Sequence, residues 1–147
     1  MIYTKVIAKL CLILFSVYLF VTGILFILGP IFFDIDYDFK SNFILIEIYL
    51  LIILKLFATF WIIVTLANIK LLKYKRLSNL ILGIAITCSL IHLIFVMVQN
   101  LLGNNIDYLL EIMTEDSIKT ILVILLYFYL AKIEIKELQP RFRTKKY

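Results

Sequence analysis

Thirty consecutive residues at 43–72, FILIEIYLLIILKLFATFWIIVTLANIKLL, carry only Glu47, Lys55 and Lys70 as charged side chains. A surface helix of a soluble domain shows an apolar stripe opposite a polar face, and this stretch has no such division. About 20 apolar residues in a helix cross a hydrocarbon core of ~30 Å, so the run is long enough to span a bilayer. The rest of the chain agrees. Its hydrophobic fraction is 64%, against about 45–50% for soluble domains, and its mean hydropathy is +1.07. A chain of 147 residues has too little interior to hide that much apolar surface from water. The expectation is a single all-α domain, an integral membrane four-helix bundle.

Four spans are expected, at about 6–29, 43–72, 80–102 and 118–135. The first follows Lys5 and Lys9 and is too long for the apolar region of a cleaved signal peptide. Gly29-Pro30 is expected to end it, because proline cannot continue the hydrogen-bond ladder. Ser16 and Gly23 are seven residues apart, which puts two small residues on one face where another helix can approach closely. In the third span Gly83 and Ala85 are likewise small packing candidates, and Ser78 or Asn79 could cap its first turn. Ala85, Cys88, Ser89, His92, Val96 and Gln99 fall on one stripe of that helix, which belongs against protein. The fourth span is the shortest, with about twelve uncharged residues between Lys119 and Lys132. Two acidic loops are expected between spans: one with Asp34, Asp36 and Asp38, and one from Gly103 to Lys119 that includes an interfacial amphipathic stretch, IDYLLEIM.

The formal charge of +5 would suggest nucleic acid in a soluble protein, but here the basic residues flank apolar runs. The N-terminus, the 70–76 loop and the segment from Lys132 onward hold twelve Lys and Arg, while the two acidic loops hold only Lys40 and Lys119. Basic residues stay on the cytoplasmic side during insertion. Both termini are therefore expected in the cytoplasm, with residues 136–147 as a basic tail that could touch anionic lipid.

Few residues could carry chemistry. Glu47, Lys55, Ser89, His92 and Gln99 are the intramembrane polar candidates. An ionisable side chain at the centre of a span costs ~2.5–3.5 kcal/mol on the insertion scale, and such residues usually face a bundle interior. Two placements of Lys55 are open. It either lies deep in a full-length span, facing His92, or sits near the outer headgroups and snorkels, leaving Glu47 interfacial. Glu47 and Lys55 are eight residues apart on one helix, ~12 Å in rise, so any bridge between them needs a second helix. One His and two separated cysteines, Cys11 and Cys88, give no metal or haem set. No phosphate loop, HExxH or nucleophile–base motif is present. No cofactor, nucleic acid or catalytic residue is expected.

The layout resembles that of small bacterial DoxX-like four-helix membrane proteins. The shared features are a first helix ending in Gly29-Pro30, an acid opening the second (Glu47 in LIEIYLL), and a polar residue in the third (His92) before Gln99-Asn100-Leu101-Leu102-Gly103. Lys55 and Phe57 stand where that family tends to carry glycine, and His92 where it often carries arginine. The resemblance implies the four-helix architecture. The function expected is binding, as a subunit, assembly or immunity-type partner of another membrane protein or of a second copy, in a bacterial cytoplasmic (inner) membrane. A proton- or ion-coupled role centred on Lys55, His92 and Glu47 is the alternative.

Overall fold

The computed structural model describes residues 2–32, 42–104 and 108–143, and over them the protein is all-helical. Helix α1 covers Ile2–Phe32, α2 Asn42–Ala67, α3 Lys75–Leu101 and α4 Tyr108–Arg143, with a short 3₁₀ helix at Ile69–Lys73 between α2 and α3. Three of the four are long and apolar enough to cross a membrane: α1, α2 over Ile46–Ala67, and α3. Their outward surface carries large apolar side chains, among them Leu14, Leu25, Phe57, Phe60, Ile84 and Ile94, as a face that meets lipid requires. The acidic loop with Asp34, Asp36 and Asp38 lies outside the described residues.

Side-chain pairs fix how the helices run. Phe20 meets Phe60 with ring centroids 6.2 Å apart, and Gly23 faces Lys55 and Leu56, so α1 and α2 are antiparallel. Trp61 donates its indole N–H to Ser78 Oγ at 2.7 Å, and His92 Nδ1 lies 3.1 Å from Glu47 Oε1. Trp61 follows Glu47 by fourteen residues and His92 follows Ser78 by fourteen. The two bonds therefore pin one antiparallel register of α2 against α3 at points ~21 Å apart. Lys5 and Lys9 of α1 pair with Glu137 and Glu134 of α4. That closes the bundle and brings the start of α1 and the last turns of α4 to the same end.

The core has two apolar parts. The larger gathers Leu19, Ile62, Leu66, Leu82, Ile124 and Tyr127, among others. The smaller, nearer the start of α2, holds Ile48, Ile52, Leu110 and Met113. Threonines along the helices satisfy their own hydroxyls by bonding back to the carbonyl four residues earlier. Thr59 does so to Lys55, Thr65 to Trp61 and Thr120 to Asp116, so none presents an open donor to an apolar neighbour.

Several boundaries differ from those expected, each for a local reason. Helix α1 passes through Pro30 to Phe32, because a proline in the last turn forfeits a single ladder bond. Helix α2 stops at Ala67, not at 72. Asn68 is extended there and its side chain accepts the Lys70 amide at 3.3 Å, which starts the 3₁₀ turn instead. Helix α3 begins at Lys75, so Ser78 is inside it and binds Trp61; α3 has no side-chain cap. The largest difference is α4. It begins ten residues before 118, takes in the residues expected to form an interfacial loop, and continues into the tail as one helix.

Of the packing candidates, Ser16 and Ala85 are buried and Gly23 lies against α2. Nothing lies within 4 Å of where a Cβ on Gly83 would stand, so that glycine makes no close helix contact. A Cβ on Gly23 would meet Leu56 Cδ2 at 2.9 Å and Lys55 Cε at 3.2 Å. Leu56 Cδ2 is the end of a half-buried side chain that can turn aside, and Lys55 needs to give by only a few tenths of an ångström, so Gly23→Ala is expected to be mild. Gly23→Ile should overpack the α1–α2 seam and cost about 1–3 kcal/mol, measured as lowered thermal stability in detergent.

Candidate functional site

Between the two apolar parts lies a polar layer. On α2 it is Lys55, between Ile52 of one cluster and Ala58 of the other; on α4 it is Asp116, Ser117 and Thr120, between Met113 and Val123. Ser89 of α3 faces the same space. Lys55 is 6% exposed and its ammonium donates to Asp116 Oδ2. Along α2, Asn42–Ala67, thirteen residues precede Lys55 and twelve follow it. The lysine is thus near the middle of its helix and turned inward, toward α4.

The partner comes from a segment expected to be a loop. Asp116 points into the bundle because α4 is already helical there, and the stripe that buries it was present in the sequence. Leu110, Met113, Ser117, Thr120, Ile124, Tyr127 and Ala131, all buried, recur at alternating intervals of three and four, the spacing of one helix face. That stripe runs unbroken from the acidic segment into the apolar one. The acids at 107, 111, 115 and 116 mask it in the sequence; Glu111 and Glu115 are exposed and lie on other faces. Tyr127 is in the core for the same reason.

The small cavity bounded by Lys55, Asp116, Ser89, Ser117, Thr120 and Met113 has a volume of about 10 Å³. That is the room one water needs, and a water there would find several polar partners. It is far below the ~300 Å³ of a small-molecule pocket.

Toward the start of α2 lies a second polar contact. His92 is fully buried, 0% exposed, and its Nδ1 meets Glu47 Oε1. His92 Nε2 and Glu47 Oε2 are both buried without a partner among the described residues. An unsatisfied buried polar atom costs ~1–3 kcal/mol. Glu47 and His92 are thus brought together across two helices, but Lys55 is not part of that contact; its charge is taken by Asp116. Gln99 belongs to neither. It accepts a bond from Asn104 Nδ2 at 2.6 Å at the end of α3. There the amides of Gly103, at φ 73°, and Asn104 return to the carbonyls of Asn100 and Gln99, a glycine-terminated helix stop. Among the described residues no cluster of His, Cys, Asp and Glu could hold a metal ion.

Chemically, the polar layer ties α4 to α2 by charge, and the second contact ties α3 to α2 by an imidazole–carboxylate pair. Lys55→Met would leave the half-buried Asp116 carboxylate without its cation and is expected to cost up to about 3 kcal/mol, the low end for breaking a buried pair. Lys55→Met with Asp116→Leu removes both charges and should recover most of that loss; detergent-phase unfolding of the two variants measures the difference. Compared with models of protein families, with curated proteins and with solved structures, the chain matches none.

Proposed function

We propose that this is a four-span integral membrane protein with both termini in the cytoplasm, of a bacterial inner membrane, that acts as a binding, assembly or immunity-type partner of another membrane component. The excess of Lys and Arg at the ends shared by α1, α4 and the α2–α3 turn supports that orientation. The resemblance in layout to DoxX-like proteins supports the four-span reading.

The observation that carries a partner role is the outer face of the first part of α4. Glu111 and Glu115 are exposed there, with Lys119 beside them holding Glu115 at 2.7 Å. Asp116, on the same two turns, is level with Lys55, deep in α2. At that depth the outward residues of α2 are Ile53, Phe57 and Phe60. A bundle that meets lipid evenly would be apolar all round at one depth, and exposed charge within a hydrocarbon zone is costly. A protein surface laid on this face removes the cost. A photo-crosslinking residue in place of Ile118 is expected to capture a membrane protein in native membranes, while one in place of Phe57 captures lipid. Lipid at both positions would count against the reading.

A second reading is favoured by the unpartnered atoms at Glu47 and His92. A buried imidazole–carboxylate contact with one free nitrogen and one free oxygen can take up and hand on a proton. That reading expects pH-dependent flux in proteoliposomes which is lost in Lys55→Met or His92→Ala. Flux unchanged in both would remove it.

A further inference from the structure

Lys5 and Lys9 tie α1 to Glu137 and Glu134 of α4, and beside these pairs the seam between the two helices holds a groove of about 430 Å³. The cause is side-chain size. Ala8 and Cys11, one turn apart, are small, so the α1 wall is recessed between larger neighbours. Leu122, Leu126 and Leu130 form the opposite wall, with Phe15 and Tyr129 at its rims. Lys119 is the charged residue of the lining. Held by Glu115, it lies at the end of the groove remote from the Lys9–Glu134 pair.

We infer that this groove binds one acyl chain of an anionic phospholipid from the leaflet at the basic end of the bundle. The inference rests on the proposed four-span placement, and three features support it. From Lys119 to Leu130 the groove runs eleven residues, ~16 Å of helix, and half of a ~30 Å hydrocarbon core is ~15 Å. It is therefore one leaflet deep, with a polar floor at Lys119 that fixes the length of chain it accepts. Its volume falls within the range of ligand sites, and its lining is apolar. Two and six residues past Leu130 on α4, Lys132 and Lys136 are exposed and hold no carboxylate among the described residues, unlike Lys5 and Lys9. A phosphate at headgroup level would meet those two cations. A membrane helix from another protein would need a longer surface than this one-leaflet slot provides.

The test is native mass spectrometry of the full chain released from nanodiscs of mixed phosphatidylglycerol and phosphatidylcholine. One retained lipid per chain is expected, enriched in phosphatidylglycerol. Ala8→Phe with Leu126→Trp fills the slot and should lower retention by about tenfold, whereas Ile94→Phe on the exposed face of α3 should leave it unchanged. Lys132→Gln with Lys136→Gln should abolish the preference for the anionic lipid while keeping the chain bound. Equal retention in the filled variant overturns the inference. So does a Cys11–Cys11 disulfide between copies with no lipid retained, which would make the groove a seam between two chains. Impermeant thiol labelling of Glu111→Cys and Glu137→Cys reads the placement of α4 separately. A failed lipid site is thereby told apart from a failed four-span reading.

Discussion

The charge on Lys55 sets the terms for everything around it. A lone ammonium deep in an apolar helix has no favourable state except beside an opposite charge, and removing both charges from water is repaid only by close geometry with further polar contacts. Asp116 supplies the charge, and the hydroxyls of Ser89, Ser117 and Thr120 surround the pair. Satisfying the lysine fixes the axial position of α4 against α2, because a slip of one turn would move the aspartate ~5.4 Å away. Helix α4 then carries Glu134 and Glu137 to the lysines of α1, so one interior pair positions two peripheral ones.

The polar layer also divides the core. Apolar packing alone specifies register weakly, since leucine and isoleucine faces can slide and repack at modest cost. Here the sliding directions are blocked. The α2–α3 contact is pinned at two places by bonds that use different chemistry, an indole on a hydroxyl and an imidazole on a carboxylate. Helices α2 and α4 are pinned once, from the inside. The α1–α2 seam has no such bond at Gly23; it relies on the closeness that a missing side chain allows.

Much of this was legible in the sequence. The helical class, the three strongly apolar helices, the small face at Ser16 and Gly23, and the inward stripe of Ser89 and His92 follow from composition and from helical spacing. Asp116 was hidden. Its neighbours Glu111 and Glu115 are exposed, and the average polarity of residues 103–119 outweighs the buried stripe that threads through them. Depth along the spans put His92 opposite Lys55; the actual division of labour, with glutamate to histidine and lysine to aspartate, depends on which faces oppose one another. Spacing along a single helix does not contain that information. The end of α2 turns on a single Asn68 side-chain bond, and the passage of α1 through Pro30 on a single backbone bond forfeited; such details rank below the apolar pattern in any reading of the chain.

Chain order gives the Lys55–Asp116 contact a further meaning. The two residues are separated by 61 positions, and the lysine comes first. Helix α4 is also not among the three that are apolar enough to cross a membrane by themselves. During synthesis from the N-terminus, α1, α2 and α3 would be complete, with an unneutralised cation in their midst, before α4 emerged. The early helices thus prepare a socket, and the last helix is recruited by what they lack.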